Sequence, residues 1–109
     1  MLVLVVVCLS LGALRASAQA NFTCNPVNVA SFSSRVHVKC SPGSGAIVFF
    51  AVSTTNTATA QRFQDLALSA LVNNKTLTIQ FNPADITTGP GFGCASVNCR
   101  PASAIFINK

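Results

Sequence analysis

Arg35-Val36-His37-Val38-Lys39-Cys40, the breakers Ser41-Pro42-Gly43-Ser44-Gly45, and then Ala46-Ile47-Val48-Phe49-Phe50-Ala51-Val52 decide the fold. The first segment alternates. Strand side chains repeat with a period of two, so Val36, Val38 and Cys40 face one side while Arg35, His37 and Lys39 face the other. Pro and Gly in the middle segment predict a turn. The third segment is apolar on both faces, and its short length and β-branched residues favour a buried strand over a helix. A strand of that kind needs cover on both sides. Val48, Phe50 and Val52 are expected to fill the interior. Ile47 and Phe49 would then meet the helix or the same face of a second copy of the chain.

Upstream, Val27 and Val29 alternate across Asn28, and Phe32 falls on the opposite parity. One first strand with a bulge, followed by a turn at Ser33-Ser34, accounts for the shift. Downstream, Ala60, Phe63, Leu66, Ala67, Ala70 and Leu71 recur at helical spacing, with Gln61, Arg62, Gln64, Asp65 and Ser69 on the other faces. Asn56 or Thr57 can cap the start and Asn73-Asn74 suits the left-handed end, so a helix is expected over 57–72. Lys75-Thr76-Leu77-Thr78-Ile79-Gln80-Phe81 alternates as a half-buried strand, 82–100 is a loop rich in Gly and Pro, and 102–107 is a last strand. The fold class is therefore mainly β with one helix. The order β-β-β-α-β-β is that of an OB-fold-like five-stranded barrel, with Phe63, Leu66 and Leu71 plugging one end. An open α+β sheet with one helix across it is the alternative.

The first residues read differently. Leu2-Val3-Leu4-Val5-Val6-Val7-Cys8-Leu9 is apolar, and Ala16-Ser17-Ala18-Gln19-Ala20 supplies the small residues of a signal-peptidase site. The apolar run is shorter than the roughly 20 residues that span a bilayer. A signal peptide over 1–20 and a single domain over 21–109 are expected, with cleavage after Ala18 or Ala20 and the boundary set at Ala20. The mature chain then has no transmembrane segment and is secreted or periplasmic. A domain this small buries a limited core. Cys24, Cys40, Cys94 and Cys99 read as two disulfides in an oxidising compartment, with three connectivities open. Cys94 and Cys99 are close enough to close a local loop, and Cys24 with Cys40 would then tie two early strands together.

The charged residues after Ala20 are Arg35, Lys39, Arg62, Lys75, Arg100 and Lys109, opposed only by Asp65 and Asp85. This balance favours acidic partners. The cations are spread along the chain, so no nucleic-acid patch is expected. One histidine and no CxxC spacing exclude an expected metal site. Gly89-Pro90-Gly91-Phe92-Gly93 lacks the strand-to-helix context of a phosphate loop, and no cofactor is expected. His37 is the only histidine and the only acids are two aspartates, so the chain is read as a non-enzyme.

The succession of Cys40, the apolar strand Ile47-Val48-Phe49-Phe50, an alanine-rich helix, the strand Leu77-Thr78-Ile79-Gln80-Phe81 and the loop Gly93-Cys94-Ala95-Ser96-Val97-Asn98-Cys99 resembles a family. It is similar to small exported bacterial OB-fold proteins that include the B subunit of subtilase cytotoxin. The resemblance implies an OB barrel, export from a bacterium and a sugar-binding ring of subunits. No sugar-contact position transfers, because this chain has no Trp, Tyr or Glu. The expected function is a secreted binding module for a host glycan or other acidic ligand. The alternative is an envelope protein that acts through protein contacts without sugar. The candidate ligand-binding residues are Ser33, Ser34, Arg35, His37 and Lys39, with Asp85, Asn98 and Arg100 from the loop that would flank the same face. Self-association would use Ile47 and Phe49. Asn21-Phe22-Thr23 and Asn74-Lys75-Thr76 match the glycosylation pattern, by chance in a bacterial product and as occupied surface sites in a eukaryotic one.

Overall fold

Two strands, β1 (Ala20–Cys24) and β2 (Pro26–Ser31), are separated by Asn25 alone. The computed structural model describes residues 19–109, so the signal peptide expected over 1–20 lies outside the described residues up to Ala18. The remaining elements are β3 (Arg35–Ser44), β4 (Ile47–Ser53), α1 (Thr57–Val72), β5 (Leu77–Phe81), a 3₁₀ turn (Gly89–Phe92) and β6 (Cys99–Ile107). They form a mainly β protein with one helix and a six-stranded mixed sheet in the order β1-β5-β6-β4-β3-β2. Every neighbouring pair is antiparallel except β4 with β6, which is parallel.

The sequence predicts five strands, and the structure has six. The additional one is β1, whose alternation of Ala20, Phe22 and Cys24 is only five residues long and begins inside the expected signal peptide. Its order comes from a distant partner: Ala20 to Cys24 pair with Phe81 to Leu77. A bulge is present, but it lies between Pro26 and Asn28 and not between Val29 and Phe32, where the parity shift predicts it; Phe32 lies beyond the end of β2. The predicted turn over Ser41 to Gly45 is also shorter than expected. Strand β3 continues through Pro42 and Gly43, and the reversal is made at Gly45, with a φ of 61°. The β2–β3 ladder ends at Cys40, so the missing amide of Pro42 costs no hydrogen bond to β2. A side chain at Gly43 would lie 2.5 Å from the Ile47 carbonyl oxygen, which explains the glycine.

Helix α1 has the predicted bounds. Asn56 caps it by accepting from the Thr59 amide at 3.1 Å. At the other end Asn74 is left-handed at φ 57°, and the Lys75 amide reaches back to the Ala70 carbonyl at 2.8 Å. These are the two standard ways of satisfying orphan groups at helix ends. The buried face is Ala60, Phe63, Ala67 and Ala70. Small alanines allow the backbone to lie close to the sheet. Phe63 is the one large side chain that α1 buries against the sheet, while Leu66 and Leu71, expected beside it, are only half-buried.

The core centres on Phe50, which is fully buried. Its ring stacks on Phe22 at 5.6 Å and meets the Phe81 ring edge-on at 4.9 Å. Such pairs contribute about 0.5–1.5 kcal/mol beyond the area they bury. Val36, Val38 and Cys40 point into the same core, as the alternation predicts. Two disulfides close the structure, Cys24–Cys40 and Cys94–Cys99. Among the described residues no helix is long and apolar enough to cross a membrane.

The Cys24–Cys40 bridge spans 16 residues. Replacing both partners, Cys24→Ala with Cys40→Ala, is expected to lower the unfolding free energy in urea by about 2–4 kcal/mol. An unchanged urea midpoint would show that the bridge restrains nothing.

Candidate functional site

The second face of β4 is covered by the loop that follows β5. In that loop the Cys94 amide donates to the Gly89 carbonyl at 3.0 Å, and Gly93 takes a left-handed φ of 91°. A side chain at Gly89 would lie 2.9 Å from the Cys94 carbonyl oxygen, so the turn closes tightly on its own disulfide. The amides of Val48 and Phe49 both donate to the Asn98 carbonyl at 3.0 Å. At the other side the Ser34 hydroxyl donates to the Phe92 carbonyl at 3.0 Å. The loop is thus stitched both to the start of β4 and to the turn before β3. Ala51, Cys94 and Cys99 form a small separate core with Phe49 and Phe92 against it. Phe49 is thus covered by this loop and not by the helix, and Ile47, expected to share its face, packs on the main core instead.

Between the loop and β3 lies a cavity of about 140 Å³ bordered by Arg35, His37, Phe49, Gly93, Ala95 and Asn98. Cations and rings alternate along its wall. The Arg35 guanidinium sits 4.1 Å from the Phe32 ring centre. The Phe32 and His37 rings are 5.2 Å apart, and the His37 and Phe49 rings 4.7 Å apart. The Lys39 ammonium is 5.8 Å from the Phe49 ring. A ring face is negative and attracts a cation, with about 0.5–1 kcal/mol at exposed positions. The rings therefore hold Arg35 and Lys39 extended along the wall. Gly93 belongs to the same design, because a Cβ there would lie 2.5 Å from Arg35 Nη1.

The three basic residues do not share one environment. His37 is buried at 8 % exposure, whereas Lys39 is exposed and Arg35 half-buried. Burial, and then the neighbouring Arg35 charge, hold the imidazole below its ordinary 6.5. Near neutral pH the positive charge of the site is that of Arg35 and Lys39, and His37 is a neutral ring packed between Phe32 and Phe49. The acid strengthening expected of His37 is accordingly displaced below 6.5.

Ser34, Arg35, His37 and Asn98 meet at the cavity or its edge, and Lys39 lies beside Phe49 along the wall. Ser33 supports the turn instead: its carbonyl accepts from the Thr54 hydroxyl at 2.7 Å. Arg100 braces the loop, donating to the Pro83 carbonyl at 2.8 Å and to the carbonyls of Cys99 and Ser96. Asp85 organises the turn after β5 by accepting from the Thr88 amide at 3.0 Å and the Thr87 amide at 3.2 Å. Those bonds, led by the one from the Thr88 amide, hold its carboxyl below 3.8. Sequence reading missed Phe32, Gly93 and Ala95 as site residues. The opposite parity of Phe32 was the available signal, since it sends the ring toward His37. Among the described residues, no cluster of His, Cys, Asp and Glu could hold a metal ion.

A second depression, of about 300 Å³, separates α1 from β6 and is lined by Val52, Phe63, Leu66 and Ile105, with Arg62 and Ser103 at its edge. It is mostly apolar and has no organised set of charges.

The lowered His37 value fixes a sign. As pH falls through 6.5 the unfolded chain takes up the proton before the folded one, so stability declines from 6.5 down to the folded value and levels off below it. Asp85 acts in a separate window, below 3.8. NMR titration of the ring should place the His37 midpoint below 6.5, and Arg35→Ala should raise it. A midpoint at or above 6.5 would contradict the buried placement.

No known protein family, characterised protein or solved structure matches the chain.

Proposed function

We propose that this chain is an exported OB-type module that binds an anionic group, of the kind carried by acidic host glycans, between β3 and the Cys94–Cys99 loop. The observation that carries the reading is the convergence of Arg35, neutral His37, Asn98 and the Phe49 ring on one cavity. Arg35 supplies a planar fork of donors suited to a carboxylate or sulfate. The cavity is smaller than the roughly 300–1,000 Å³ of a complete small-molecule site. It suits one charged group of a larger ligand, with the remainder resting on the exposed edges of Phe32 and Lys39.

The OB assignment has independent support. Parallel pairing joins the strand before the helix, β4, to the last strand, β6. The end strands of the sheet order, β1 and β2, are consecutive in the chain. Read as one bent strand, they close the sheet on itself, and the six strands become the five of an OB barrel. Two disulfides suit a secreted or periplasmic location. The apolar depression between α1 and β6 favours the other reading, contact with protein alone, and sedimentation together with glycan binding separates the two. A sugar-binding ring of subunits fits the first reading.

The double variant Arg35→Ala with Lys39→Ala should lose at least about tenfold in retention on a sialylated or sulfated glycan array, since charge-assisted hydrogen bonds contribute about 1.5–3 kcal/mol each. Retention equal to that of the unaltered protein would remove this site from consideration.

A further inference from the structure

The sequence around the expected processing site offers two cleavage points, because Ala16-Ser17-Ala18 and Ala18-Gln19-Ala20 both have small residues at the positions a signal peptidase reads. The fold distinguishes them. Ala20 forms the first rung of β1 opposite Phe81 and packs against the main core. Gln19 is also engaged: its carboxamide oxygen lies 2.8 Å from the Ser103 hydroxyl, which in turn lies 3.0 Å from the Gln80 carbonyl. Cleavage after Ala20 would remove a rung, a core contact and this anchor on β6. Cleavage after Ala18 keeps all three and leaves glutamine as the first residue.

We propose that export removes residues 1–18 and that the new terminal Gln19 closes to pyroglutamate, a modification site at the sheet's end. The proposal rests on the exported reading of the chain. Ring closure needs no oxidant or co-reactant. The uncharged α-amine attacks the side-chain carboxamide carbon, a new C–N bond forms, the bond to the amide nitrogen breaks, and ammonia leaves with the displaced proton. An α-amine has a pKa of about 7.7–8, so a usable uncharged fraction exists at neutral pH. The lactam oxygen is the former carboxamide oxygen and remains a hydrogen-bond acceptor. The product has lost one positive charge and its free terminal amine, which closes the chain to aminopeptidases at the strand that pairs with β5.

The test is to express the full 109-residue chain in an exporting host, recover the protein from outside the cytoplasm, hold it at neutral pH, reduce it and sequence its N-terminal tryptic peptide by mass spectrometry. The expected peptide runs from Gln19 to Arg35 and is lighter by one ammonia. The variant Gln19→Asn, which has no five-membered ring to close, should be exported with the same boundary and a free amine. A peptide starting at Asn21 overturns the boundary and leaves export standing. A start at Gln19 with a persistent free amine overturns the cyclisation. Retention of residues 1–18 overturns the export reading and the proposal together.

Discussion

The chain turns from β1 into β2 within one residue, Asn25, and the Cys24–Cys40 bond clamps that corner to β3. The Ser41 amide donates to the Asn25 carbonyl at 3.1 Å, and the Asn25 side chain reaches the Ser41 carbonyl at 3.4 Å. The corner is thus held by a covalent bond and two polar contacts. It matters because the two strands it joins lie at opposite ends of the sheet order. β1 pairs only with β5 and β2 only with β3, so this corner and the parallel β4–β6 pairing together set one half of the sheet relative to the other. Phe22 and Phe50 meet across it, which couples the clamp to the aromatic core. A chain of this size buries little apolar surface, and restraining its unfolded state has a correspondingly large effect.

The second bridge works on a different scale. Cys94 and Cys99 are five residues apart, so their bond shapes a loop rather than tying distant strands. Its consequence is chemical. The loop covers the outer face of β4 and brings Gly93, Ala95 and Asn98 up to the basic face of β3. That cover adds to the burial that, with the neighbouring Arg35 charge, holds the His37 imidazole below 6.5. Phe32 and Phe49 flank the ring on either side, and the charges of the site are those of Arg35 and Lys39 along the strand. The same burial that builds the cavity therefore decides which basic residue is charged.

What could be read from the residues alone was whatever a local period encodes. The alternation from Arg35 to Cys40, the double-faced strand around Phe50 and the helix from Thr57 to Val72 each carry their pattern within a few turns or pleats. β1 alternates Ala20, Phe22 and Cys24, but five residues that begin inside the expected signal peptide are too short a pattern to stand alone, and the strand is fixed by pairing with β5 more than fifty residues later. Pro42 and Gly43 read as a turn because breakers usually mark one. Here they sit where β3 has lost its partner on one side, so the strand tolerates them. The basic row was legible as a row. Its unequal burial was not, because it depends on a loop that arrives from the other end of the chain. Asp85 and Arg100 have the chemistry of ligand contacts, but their hydrogen bonds hold the loop's shape instead.

Peptide mapping of the oxidised protein tests the account where it is most exposed. Trypsin leaves Cys94 and Cys99 in one peptide, because Arg100 is followed by Pro101, and it separates Cys24 from Cys40 at Arg35 and Lys39. The account requires the Cys24 peptide to be crosslinked to the peptide beginning at Cys40, and the C-terminal peptide to be internally bridged. A crosslink from either early cysteine to Cys94 or Cys99 would contradict both the clamped corner and the loop that forms the site.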